Sequence, residues 1–180
     1  MHPETSIRMP FKLRIPLSDI PHWSARYEYN DAIPAELGPV ARKRGHLTKT
    51  EFLAFTRWKT ARTQQRCQAN SPEFVKTATA VSLASPDERL RIEVLTLLSG
   101  VQWPTASVIL HFCAIDPYPI LDFRALWSLS ADVPKSGYAF PFWWSYCEAT
   151  RRLARKAHVS MRVLDRALWQ YSKENQPADA

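Results

Sequence analysis

Cysteine is scarce in this chain. Cys67, Cys113 and Cys147 stand far apart, which excludes a disulfide framework and points to a reducing compartment. Long apolar runs are missing too, and none approaches the ~20 residues of a membrane helix. The opening residues MHPETSIRMPFK have no apolar centre of the kind a secretory signal carries. A cytoplasmic protein that does not engage a membrane is therefore expected. No His, Cys and carboxylate set has metal-ligand spacing, so no metal or other cofactor is expected. Internal repeats, low-complexity blocks and evident interdomain linkers are absent. Acidic residues are outnumbered: 17 Asp and Glu face 24 Lys and Arg, giving +7 and a sequence pI near 9.5. Such an excess suits a polyanionic partner.

What is present is helical signal. Residues 1–23 contain four prolines and an alternating piece, Phe11 to Ile15, and read as an extended arm. Thr48 with Glu51 makes a capping box for a helix carrying Phe52, Phe55 and Trp58 and ending near Thr60. Ala61 to Asn70 is polar, has no apolar period and reads as a loop. Ser71-Pro72 starts a helix running to about Ala84. Ser85-Pro86-Asp87-Glu88 is a second Ser-x-x-Glu box, with Leu90, Val94 and Leu97 as the buried stripe of its helix. A loop from Ser130 to Tyr138 precedes a long helix from about Pro141 to Ala157. Ser160 caps a last helix whose Met161, Leu164, Leu168 and Tyr171 share a face. The expected architecture is all-α: an extended arm at 1–23, one compact helical domain at 24–175, and a frayed tail at 176–180. Nothing demands more than a monomer.

The stretch from Leu98 to Arg124 carries the most information. Gly100 sits where a helix of apolar period stops, at a C′ position that suits positive φ. Pro104 falls just inside the next helix, where its missing N–H costs nothing. The few residues between turn the chain so tightly that hairpin amides and the new helix start should point one way, an arrangement that binds phosphate. Asp122 follows a β-biased, proline-containing run and precedes a helical pattern, Phe123 to about Leu129, which makes it an N-cap.

Leu98, Gly100, Val101, Thr105 and Ala106 resemble the Leu-Pro-Gly-Val-Gly-x-x-Thr-Ala hairpin (98–106 here) of the helix-hairpin-helix DNA glycosylase superfamily. Asp122 matches that family's aspartate without insertion or deletion, and Tyr118-Pro-Ile-Leu-Asp122 is similar to the corresponding segment of adenine glycosylases. The resemblance implies a compact helix-hairpin-helix glycosylase-like fold acting on double-stranded DNA, with Gly100, Val101, Gln102, Trp103 and Thr105 forming the phosphate-binding hairpin. Asp122 would be the catalytic carboxylate that stabilises a cationic sugar and orients water. There are departures. Gln102 replaces the second hairpin glycine and Ser99 the usual proline. The lysine nucleophile of bifunctional members is Pro104 here, which implies a monofunctional enzyme with no lyase step. The four cysteines of the iron–sulfur members are missing.

Base excision requires an extruded nucleotide, a pocket of flat side chains and a group that fills the hole. Trp58, Trp143 and Trp144 are pocket candidates, although core packing is the ordinary fate of such rings. Lys59 and the loop holding Arg62, Gln64, Gln65 and Arg66 are candidates for backbone contact or for a wedge. Runs such as Arg42, Lys43 and Arg44, or Arg151, Arg152, Arg155 and Lys156, fit phosphate contacts and solvated faces alike. His111 lies one helix face from Pro104 and reads as a site neighbour or as a satisfied core histidine. Arg124 reads as a partner of Asp122 or of DNA. Two functional classes follow. The first is a monofunctional glycosylase acting on a damaged base or on a hypermodified one, such as the glucosylated hydroxymethylcytosine of phage DNA. The second is a non-catalytic helix-hairpin-helix DNA-binding module in which Asp122 serves only as a cap.

Overall fold

A computed structural model of the chain describes residues 11–177, so the first ten residues of the expected arm and the last three of the tail lie outside the described part. The fold is all-α, with no strand among the described residues, which divide into two compact units: residues 29–120, and residues 11–28 with 121–177. The sequence had read as one domain over 24–175. Among the described residues no helix is long and apolar enough to cross a membrane.

The 29–120 unit begins after α1 (Ile20–Ala25) and is built from α2 (Ala32–Arg44), α3 (Lys49–Lys59), α4 (Gln64–Gln68), α5 (Pro72–Ala84), α6 (Glu88–Glu93) and α7 (Trp103–Cys113). α3 opens with the expected capping box: the Glu51 amide donates to Thr48 Oγ1 and the Thr48 amide to Glu51. Ser71 caps α5 through the Phe74 amide. Phe52, Phe55, Val75, Ile92, Leu95, Val108 and Ile109 form the core. α2 lies close on α7, where a Cβ on Gly38 would stand 2.4 Å from the Phe112 carbonyl oxygen.

Three readings of this unit are corrected. Ala61 to Asn70 is not a loop but a 3-10 turn, Ala61–Thr63, followed by α4. Thr60 caps the turn through the Arg62 amide, and Cys67 is fully buried. One buried residue anchors this short helix, and one residue makes no period. The helix after Ser85 is capped by Asp87, whose carboxylate accepts from the Leu90 amide, while Ser85 Oγ accepts from the Asp87 amide. Its buried stripe is Ile92, Leu95 and Leu98, not Leu90, Val94 and Leu97; Leu90 is 48% and Leu97 65% exposed. The chain tightens into a 3-10 turn at Val94–Leu97, and three residues per turn brings 92, 95 and 98 into line.

The other unit joins the start of the described chain to its C-terminal helices, α8 (Phe123–Ser128), α9 (Phe140–Lys156) and α10 (Met161–Asn175). Residues 11–13 form no helix and the chain bends at Arg14 and Ile15, where an extended piece was expected; the Lys12 amide donates to Leu129 O at 2.8 Å and the Arg14 amide to Ser128 O at 2.9 Å. Nor is the arm extended to residue 23. A 3-10 turn at Leu17–Asp19 leads into α1, whose first turn holds Pro21. A proline in a first turn starts a helix as readily as it breaks a strand. α1 packs on α10, with Trp23 edge-on to Tyr171 at 5.1 Å between ring centres. Ser160 caps α10 through the Val163 amide, and Met161, Leu164 and Leu168 are buried.

Candidate nucleic-acid interface and carboxylate site

The hairpin belongs to the 29–120 unit. The Val101 amide donates to Leu98 O at 3.0 Å, and Gly100 has φ +82, the third-position geometry of a type II turn. Leu98 and Val101 are buried on either side. Gly100 rests directly on the α4 region: an added Cβ would stand 2.7 Å from Cys67 Sγ and 3.1 Å from Thr63 O. Asn70, 4% exposed, clamps the turn from the same side. Its Oδ1 accepts from the Ser99 amide at 2.8 Å, and its Nδ2 donates to Ser99 O at 2.9 Å. The segment expected to be a polar loop is therefore the seat of the hairpin. Sequence reasoning missed Asn70 altogether; an Asn in a polar run carries no signal that its amide is buried.

α7 starts at Trp103 with Pro104 in its first turn, and the exposed Gln102 at its N-cap makes no side-chain capping bond. Thr105 is buried. Arg57, Arg62 and Arg66 are exposed and Lys59 is half-buried, on α3 and the α4 region that seats the turn. No acidic residue occurs between Glu51 and Glu73, so this stretch keeps its positive charge.

The other candidates of this unit have structural partners. Trp58 donates from Nε1 to Asn30 O at 2.7 Å and stands edge-on to Phe112. With Ile33, Leu53 and Gln64 it lines a shallow cavity of about 340 Å³. Gln64 donates to Thr56 Oγ1 at 2.8 Å, while Gln65 is exposed. His111 Nδ1 lies 2.7 Å from Tyr118 O, so it carries the proton and donates. Tyr118 in turn donates to the Glu88 carboxylate. Arg42 donates to Phe112 O and Cys113 O, tying α2 to α7. The Cys113 thiol, desolvated by burial, is pushed up to about 12.

Asp122 belongs to the other unit. It adopts φ −145, ψ 142 and accepts from the Arg124 amide at 3.0 Å, making it the N-cap of α8 as expected. The carboxylate is half-exposed, with Leu121, Ala125 and Leu126 buried around it in the chain. The Arg124 guanidinium lies over the rings of Phe123 and Trp169, 5.1 and 5.6 Å from their centres. Two phenols on the α9 side feel the charge of Asp122. Burial, then Asp122, pushes the Tyr138 hydroxyl up. Burial, then Asp165 and Asp122, pushes the fully buried Tyr146 well up.

Trp143 is fully buried and offers no face to a ligand as it stands; Trp144 is half-buried between Phe140 and Arg151. A cavity of about 560 Å³ lies elsewhere in this unit, between the 130–137 loop, Phe11 and Phe142. Among the described residues no group of three or more His, Cys, Asp and Glu side chains is placed to hold a metal ion. No protein-family model, no curated protein and no solved structure matches this chain.

Proposed function

We propose that the chain is a monofunctional DNA glycosylase. The observation that carries this reading is the Gly100 turn, seated on α4 and leading straight into the uncapped start of α7, beside an acid-free stretch bearing Arg57, Arg62 and Arg66. The positive end of the α7 dipole favours a duplex phosphate, and the flanking guanidiniums add sequence-independent affinity. Asp122, fixed by its capping bond, stabilises the positive charge that develops on the sugar as the bond from C1′ to the base nitrogen breaks. The electron pair leaves with the base, water adds to C1′, the proton it loses passes to the departing base nitrogen, and an abasic site remains. Pro104 stands where a lysine would be needed for a Schiff base, so no strand cleavage follows. The substrate is a damaged base or a hypermodified one such as glucosylated hydroxymethylcytosine, the partner is duplex DNA, and the chain acts as a cytoplasmic monomer.

One observation favours the second reading, a non-catalytic DNA-binding module. The Ser99 amide is spent on Asn70 and the Val101 amide on Leu98, leaving phosphate recognition to fewer donors. Base release from plain, alkylated, oxidised and phage-modified genomic DNA separates the two. The glycosylase reading expects release from one of these substrates, cut by roughly 10²–10⁴-fold in Asp122→Asn. Because Asn caps as well as Asp, this variant should keep its fold and duplex affinity. Salt-sensitive duplex binding with no release from any substrate selects the module.

A further inference from the structure

The 560 Å³ cavity has no role in the reading above, and its volume lies within the ~300–1,000 Å³ range of small-molecule sites. One wall is aromatic. Phe11 meets Phe142 edge-on at 5.7 Å and Tyr146 at 5.8 Å, and Phe142 packs on Tyr138 at 5.8 Å. Pro141 and Ala139 extend this wall. The opposite wall is the loop after α8, held by its own turns. Ser130 takes φ +54 while the Ala131 amide returns to Leu126 O, and the Gly137 amide closes a tight turn on Pro134 O at 2.9 Å. A non-glycine residue in the left-handed region is a costly choice, tolerated where surrounding structure fixes it. Val133 and Pro134 face the cavity from this wall, with Ser130, Asp132, Lys135 and Ser136 supplying its polar groups.

We propose that this cavity binds a flat heteroaromatic ring bearing a hydroxylated substituent. The ring faces Phe142 and Phe11, and the substituent's hydroxyls meet Asp132, Ser130 and Ser136, which offer a carboxylate acceptor and donor-acceptor hydroxyls. The Phe142 wall is continuous with the Tyr138 ring. The proposal rests on the glycosylase reading for the source of the ring, an extruded base, and on the cavity alone for its recognition.

The test is equilibrium titration of the full chain with free cytidine, adenosine and glucosylated 5-hydroxymethyl-2′-deoxycytidine. Saturable binding of the glucosylated nucleoside, at least about tenfold tighter than of cytidine, is expected. Val133→Trp, which fills the cavity from an exposed loop, should abolish it, and Asp132→Asn should weaken it. Thermal melts of both variants should match that of the unaltered chain. No saturable binding of the glucosylated nucleoside, equal affinity for all three ligands, or unchanged binding in Val133→Trp would overturn the proposal. None of these ligands requires the hairpin or a cut bond. Silence in base release with nucleoside binding intact therefore removes the glycosylase reading and keeps the site. Base release with no nucleoside binding does the reverse.

Discussion

Gly100→Ala brings together two costs that the fold assigns separately elsewhere. At φ +82 an alanine is left-handed, which costs about 1–2 kcal/mol. Its Cβ would also stand 2.7 Å from Cys67 Sγ, 3.0 Å from Cys67 N and 3.1 Å from Thr63 O. Two of those atoms are backbone, so relief requires the α4 region to move, an overpacking cost of about 1–3 kcal/mol. The expected loss is about 2–5 kcal/mol from the two together. Gly45 isolates the first cost, because it too has φ +82 but a Cβ there meets nothing within 4 Å. Gly38 isolates the second. It lies inside α2, where alanine gains about 0.5–1 kcal/mol over glycine, but its Cβ would press on the Phe112 carbonyl oxygen, carbon and Cβ. Urea unfolding of the three variants, followed by tryptophan fluorescence, should rank Gly100→Ala as the most destabilised. Duplex binding at low salt should weaken at least about tenfold in Gly100→Ala and stay unchanged in Gly45→Ala. If Gly100→Ala lost no more than Gly45→Ala, to within about 0.5 kcal/mol, the turn would not be seated on α4 and the basis of the hairpin argument would fail.

Asn70→Ala removes both bonds to Ser99 and leaves its part-buried backbone groups without their Asn70 partner, so a loss of about 1–2 kcal/mol is expected, with weaker duplex binding; unchanged stability would show that Ser99 is not clamped. Glu51 is pushed up by burial, but the Thr48 amide and hydroxyl together with Arg44 outweigh this and hold it below the usual carboxylate range. A depressed value means that its stabilisation is present above the ordinary glutamate range and is lost as the pH falls through the folded value. Glu51→Gln should therefore be less stable by about 0.5–1 kcal/mol at neutral pH and lose less on acidification than the unaltered chain, as denaturant melts across the acid range would read. All three cysteines are buried and burial holds Cys113 at about 12, so native protein at pH ~8 should resist thiol alkylation that labels the denatured chain fully; fast native labelling of Cys113 would mean that the α7 end opens.

Local chemistry was legible and long-range closure was not. The caps at Thr48, Ser71, Asp122 and Ser160 need only a side chain and an amide two or three residues on, and Gly100 needs only a helix end. α4 escaped because a single buried side chain, Cys67, anchors it from a partner remote in sequence. The stripe on α6 was misphased because a period of 3.6 was applied where the chain winds at three residues per turn. Phe11 gave no sign of lining a cavity with Phe142 and the 130–137 loop, since that wall depends on the arm lying beside Ser128 and Leu129. The tryptophan count drew attention to Trp143, yet the largest aromatic side chains are also those best able to fill a core.

At Asp122 the capping geometry and the proposed chemical role reinforce one another. A capping carboxylate has one oxygen tied to the Arg124 amide, which removes the rotamer freedom of an ordinary surface aspartate, while a carboxylate retains further acceptor sites. Its neighbours decide what that fixed charge is worth. Arg124, a cation only two residues away, has its guanidinium over Phe123 and Trp169, and the groups that feel the carboxylate are the phenols of Tyr138 and Tyr146, both kept protonated by burial and by that same charge. In the glycosylase reading this is electrostatic preorganisation: a fixed negative charge is in place before positive charge develops on the sugar.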